Sequence, residues 1–151
     1  MKFFKINIGI SIIIPNMVFI ALLLSSSKLF SQTINVISPN PAVASGNIQA
    51  NSTNNIIYSF YVTTTSGIQL TTMKFTTAGT YTTSDVSNFK LWYSSTNSFS
   101  TASVVSDALS PSSSGSEHTL NHWWPSFSET KYFWITADIP SGATVGRTLR
   151  I

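Results

Sequence analysis

The chain has 151 residues, no cysteine, and 8 Lys and Arg against 5 Asp and Glu. Lys2, Lys5 and Lys28 supply the whole positive excess; beyond Gln32, Lys74, Lys90, Lys131, Arg147 and Arg150 balance Asp85, Asp107, Glu117, Glu129 and Asp138, five against five. Scattered, balanced charge excludes a nucleic-acid partner, which needs clustered cations, and the missing thiols exclude disulfide staples and a lipid-anchored lipoprotein.

Residues 1–31 read as a signal peptide forming an N-terminal signal helix. Met1–Lys5 is a basic start, Ile6–Leu24 an apolar run, and Ser25–Ser27 begins the small-residue exit. Cleavage after Ser31 predicts a mature chain from Gln32, secreted or held at a bacterial cell surface. Membrane contact is then made only through the signal before cleavage. The rival reading is an uncleaved anchor, because the run is nearly long enough to span a bilayer; Pro15 and Asn16 interrupt it. Residues 32–44 are assigned to a linker with a short strand, and 45–151 to one domain. That length buries a single core, and its Thr, Val, Ile and aromatic content suits pleated surfaces.

Period-two alternation places the strands. Ile34–Ile37 and Asn47–Ala50 are short candidates. In Asn55–Thr64, Ile56, Tyr58, Phe60 and Val62 share one face, with Ser59 and Thr63 on the other. A turn at Ser66-Gly67 leads into Ile68–Thr77, where Ile68 and Leu70 are out of phase with Met73 and Phe75. A parity change needs an extra residue, so a bulge is expected near Thr71-Thr72. Asp85, within Thr83–Asn88, reads as a turn residue bonding nearby amides, since no D-x-D cluster or local partner supports calcium or acid catalysis. Phe89–Ser94 alternates Phe89, Leu91 and Tyr93 against Lys90, Trp92 and Ser94. Ser103–Ser106 and His118–Asn121 are short strands around the flexible polar loop Ser110–Ser116. Lys131–Ile139 is apolar on both faces, as a covered central strand requires. Thr148–Ile151 ends the chain inside a predicted strand, which reads as one module of something longer.

Two features bear on chemistry. His118 and His122 fall on one strand face with no third ligand, which points away from a metal site, and no G-x-S-x-G elbow supports a serine nucleophile. His122-Trp123-Trp124-Pro125 reads as a loop, because adjacent tryptophans in a strand cannot face the same core and Pro125 opposes a ladder. Trp123, Trp124 and His122 are therefore the candidate ligand-binding residues, an exposed indole suiting a sugar face or a protein partner. The competing reading is a Trp lid over one end of the fold.

A series of blocks carries a resemblance. Asn51–Asn55, Phe60–Thr63, Leu70-Thr71, Phe75–Thr77 with Gly79-Thr80, Asp85-Val86 with Asn88, and Leu91–Tyr93 stand in order. Asn97–Ser100, Tyr132–Thr136 with Asp138-Ile139, and Ala143–Gly146 follow. From about Ser45 onward the chain resembles the N-terminal domain ahead of the catalytic propeller in BNR-repeat sialidases (neuraminidases). Similar modules occur in secreted proteins of Bacteroidetes-type bacteria. The resemblance implies an all-β, antiparallel sandwich of immunoglobulin or jelly-roll type, serving as an accessory module. Sialidase catalysis needs an arginine triad to clamp the substrate carboxylate, but only Arg147 and Arg150 occur here and the propeller boxes are missing. The expectation is a non-catalytic module with no cofactor and no metal, binding a glycan or supporting a neighbouring catalytic domain. The alternative is a structural or adhesive surface module making protein contacts, with an enzyme a distant third. Asn51-Ser52-Thr53 fits a glycosylation sequon, expected to go unused in a bacterial protein.

Overall fold

The structure, a computed structural model, describes residues 34–37, 43–65, 67–121 and 126–151. The signal segment and its helix lie outside these residues, as do Ser66 and the stretch 122–125. Among the described residues no helix is long and apolar enough to cross a membrane.

The fold is all-β with antiparallel pairing, organised around the strand whose sequence is apolar on both faces. That strand, β8 (Lys131–Ile139), lies between β2 (Ser52–Thr64) and β5 (Asn88–Ser94). With β1 (Ile34–Ile37) outside β2 and β6 (Ser103–Val104) outside β5, the sheet runs β1-β2-β8-β5-β6. Two smaller ladders pair β3 (Thr72–Thr76) with β7 (Glu117–Asn121), and β4 (Ala78–Gly79) with β9 (Leu149–Arg150). A 3-10 turn, Phe99–Thr101, is the one helical element among the described residues.

Alternation decides which side chains meet. Phe60 and Val62 of β2, Phe133, Ile135 and Ala137 of β8, and Phe89 and Leu91 of β5 are buried on one face. Phe60 stacks on Phe133 at 5.1 Å, and Phe75 from β3 meets Phe89 edge-on at 5.5 Å, so the β3–β7 ladder shares this core. Complete burial of each large apolar side chain contributes roughly 1.5–3 kcal/mol. The opposite face of β8 is also covered: Trp134 and Thr136 are buried, Phe99 packs against Trp92 and Trp134, and the Trp92 indole N–H donates to Thr136 Oγ1 at 2.9 Å.

Four expectations need correction. Ile56 does not share the face of Tyr58, because the register shifts between them: Ile56 pairs with Thr136 and Tyr58 with Ile135. A separate shift, between Ser52 and Asn55, falls at Asn54, whose φ is 56° and whose N–H is held by Asp138 Oδ1 at 2.7 Å. Ile68–Thr77 is not one bulged strand. Ile68 forms an isolated bridge to Phe127, residues 69–71 leave the ladder, and β3 begins at Thr72, so a break absorbs the parity change. Asn47–Ala50 is no strand; these residues are exposed and offer no apolar face to bury. Ser103–Ser106 shortens to two paired residues because Ser106 turns its Oγ to the Leu91 N–H at 2.9 Å.

Candidate functional site

Asp85 sits in the turn expected for it, but its strongest tie is distant. Its carboxylate accepts from the Thr144 N–H (2.7 Å) and from the N–H and hydroxyl of Thr82 (both 2.8 Å), with Arg147 Nε at 3.9 Å. The local amide lies three residues before Asp85 rather than after it. These bonds, Thr144's foremost, hold the carboxyl well below the usual carboxylate range against the opposing effect of burial. The side chain thus clamps the 82–85 turn to the Ala143–Gly146 turn.

His118 is likewise committed. It is buried between Phe75, stacked at 5.1 Å, and Phe89, edge-on at 5.0 Å. Nε2 accepts from the Ser112 N–H at 3.0 Å, which leaves Nδ1–H to donate to the Ser116 carbonyl at 3.1 Å. Burial pushes its pKa below 6.5, partly offset by the Ser116 bond. The Ser110–Ser116 loop is thereby fastened, with further bonds from Tyr81 Oη to Ser112 O and from Gly115 N to Thr77 O. Among the described residues no group of three His, Asp or Glu could hold a metal ion.

Trp123, Trp124 and His122 lie outside the described residues, so the structure does not bring them to any site. Their flanks are described. Asn121 closes β7 opposite Thr72, and Phe127 exchanges backbone bonds of 2.9 Å with Ile68 in both directions. Beside the second flank is a cavity of about 260 Å³ lined by Tyr93, Ser126, Phe127, Ser128, Glu129, Lys131 and Phe133. Phe127 and Phe133 are buried, and Tyr93 is half-buried from β5. Lys131 opens β8 in the core register, opposite Val62, so its stem is buried. Its ammonium donates to Glu129 Oε1 at 2.5 Å and to Ser95 Oγ at 2.6 Å.

Sequence reasoning passed over Lys131 as the mere start of a strand. The signal was present: Lys131 shares the parity of Phe133, Ile135 and Ala137, and a lysine on a core face needs a partner or a purpose. A shallower cleft of about 330 Å³ lies on the opposite face among Asn54, Lys90, Trp92, Val104, Ser106, Asp107 and Ala108. Lys90 is tied there to Asp138 Oδ2 at 2.7 Å and Asn54 Oδ1 at 3.2 Å. Comparison with protein-family models, with curated proteins and with solved structures found no match to this chain.

Proposed function

We propose that this chain is a secreted, non-catalytic β-sandwich module, similar to the sialidase N-terminal domain, which binds glycan or supports a neighbouring catalytic domain. The observation that carries the reading is the cavity beside Phe127, with its aromatic floor and its rim of hydroxyl and paired charged groups. Such a mixture suits a sugar's apolar face and polar edge. Glycoside hydrolysis usually takes two carboxylates facing one bond. This cavity is lined by one, Glu129, already engaged by Lys131. Asp85 and Asp138, the buried carboxylates, are occupied by backbone N–H groups and a lysine. The sandwich assignment draws support from the Phe75–Phe89 contact between the β3–β7 ladder and the five-stranded sheet.

A glycan array probed with the purified protein, beside release of a fluorophore from a sialoside, tests this. Glycan binding without release is expected. Release above a no-enzyme control overturns the non-catalytic reading. The structural or adhesive alternative draws on Val104, 49% exposed on the edge strand β6. A blank array with concentration-dependent self-association favours it.

A further inference from the structure

We infer that the cavity beside Phe127 is a subsite for a single neutral sugar ring bearing two adjacent hydroxyls, and that it selects against acidic sugars such as sialic acid. The inference rests on the glycan-binding reading above and adds the ligand class. Size comes first. At about 260 Å³ the cavity falls just below the range of roughly 300–1,000 Å³ typical of sites for drug-sized ligands. One ring fits, and further sugar units of an oligosaccharide would lie outside it.

Charge comes second. Lys131 and Glu129 are the only ionised side chains among the described lining residues, and they stand 2.5 Å apart, so these residues together carry no net charge. A carboxylate ligand would have to compete with Glu129 for the ammonium and would face Glu129's own negative charge. Sites built for carboxylates present an excess of guanidinium or ammonium groups, and this one does not.

Hydrogen bonding comes third. An ammonium has three N–H donors. Lys131 spends one on Glu129 and one on Ser95, and the third has no acceptor among the described residues. An ionised carboxylate accepts only, and Glu129 has a second oxygen and a side chain that is 68% exposed. A donor and an acceptor side by side match two neighbouring hydroxyls, one accepting from Lys131 and the other donating to Glu129. Ser126 and Ser128, both exposed, add hydroxyls at the rim, while half-buried Tyr93, backed by buried Phe127 and Phe133, supplies the apolar surface for the ring's C–H face. Lys131 is held rigidly by its buried stem, so little ordering is required on binding.

The test is titration of the full chain with methyl glycosides of glucose, galactose, mannose and fucose and with N-acetylneuraminic acid, read by calorimetry or ligand-observed NMR. At least one neutral glycoside should bind, and N-acetylneuraminic acid should bind more weakly than it does. Glu129→Gln, whose amide oxygen still accepts from the Lys131 ammonium, should fold with a lowered melting temperature, weaken the neutral glycoside about tenfold or more as expected for a lost bond to a charged group, and strengthen N-acetylneuraminic acid. Lys131→Met, which keeps the stem, should abolish both; if it fails to fold, Glu129→Gln decides alone through the opposed shifts of the two ligands. Tighter wild-type binding of N-acetylneuraminic acid, no binding of any neutral glycoside, or neutral binding that Glu129→Gln leaves unchanged each overturn the inference. A positive glycan array alongside any of these leaves the glycan-binding reading standing and removes only this site.

Discussion

Asp85 shows how one side chain joins distant parts of the chain. Its residue type and its Ser- and Thr-rich surroundings make a turn legible, yet nothing in the sequence marks Thr144, 59 residues on, as the source of its shortest bond. Two outcomes separate clamp from metal ligand. Asp85→Asn keeps an oxygen that accepts from Thr144 N–H or Thr82 N–H and should lower the melting temperature less than Asp85→Ala, which leaves both amides without an acceptor. Added calcium should leave the parent's melting temperature unchanged, and a calcium-dependent rise lost in both variants would establish a metal site. Thr136 offers a second test on the sheet's opposite face. Trp92→Phe removes the indole N–H that Thr136 Oγ1 accepts, from a half-buried ring onto a fully buried hydroxyl, and should lower stability by about 1–3 kcal/mol in denaturant titration.

At the scale of elements, legibility followed burial. The strands β2, β5 and β8 were readable because their apolar residues repeat every second position, and β8 because both of its faces are apolar. Elements without a buried face were misplaced: Asn47–Ala50 leaves Ile48 41% exposed and forms no ladder. Register irregularities were legible only as parity conflicts. The one at Ile68–Thr77 could have been a bulge or a break, and pairing with Phe127, remote in sequence, made it a break. The candidate site divided in the same way. Adjacent tryptophans stand out in a sequence, whereas a lysine partnered by Ser95 and Glu129 becomes visible only when the strand's neighbours are known. The β4–β9 ladder depends on one backbone position. Gly79 sits at φ 123°, and an added Cβ would overlap the Thr148 carbonyl oxygen and stand 2.7 Å from its carbon. Gly79→Ala should therefore lower stability by about 1–3 kcal/mol from backbone strain alone, with the clash adding to it. Gly146→Ala, at φ 86° with nothing within 4 Å of the new atom, should be the milder of the two in the same titration.

For the whole molecule, three ionisable groups tie the sheets and turns together, and their shifts fix how stability depends on pH. His118 holds the Ser110–Ser116 loop against β3 and β5 as a neutral ring. Its folded pKa lies below 6.5, chiefly through burial, so the unfolded chain takes up the proton first as pH falls. The groups packed against it are the rings of Phe75 and Phe89 and the backbone of Ser112 and Ser116, none charged; Glu117, its neighbour on β7, pairs with Lys74 in solvent. The stabilisation from a neutral His118 is fully present above pH 6.5 and is lost as pH falls from there through the folded value. Asp85 and Asp138 act later. Burial pushes Asp138 up, but the Lys90 ammonium and the Asn54 N–H together outweigh it, and both carboxyls end below 3.8. Their contribution is complete above that pH and is lost beneath it. Denaturant midpoints measured from pH 8 to pH 2 should therefore fall in two limbs, one starting near 6.5 and one near 3.8. In His118→Phe the first limb should vanish while the second remains, and in Asp85→Asn the second should shrink while the first is kept. A first limb that persists in His118→Phe would show that another group carries it, and would return the Ser110–Ser116 loop to an ordinary polar connection with no part in acid sensitivity.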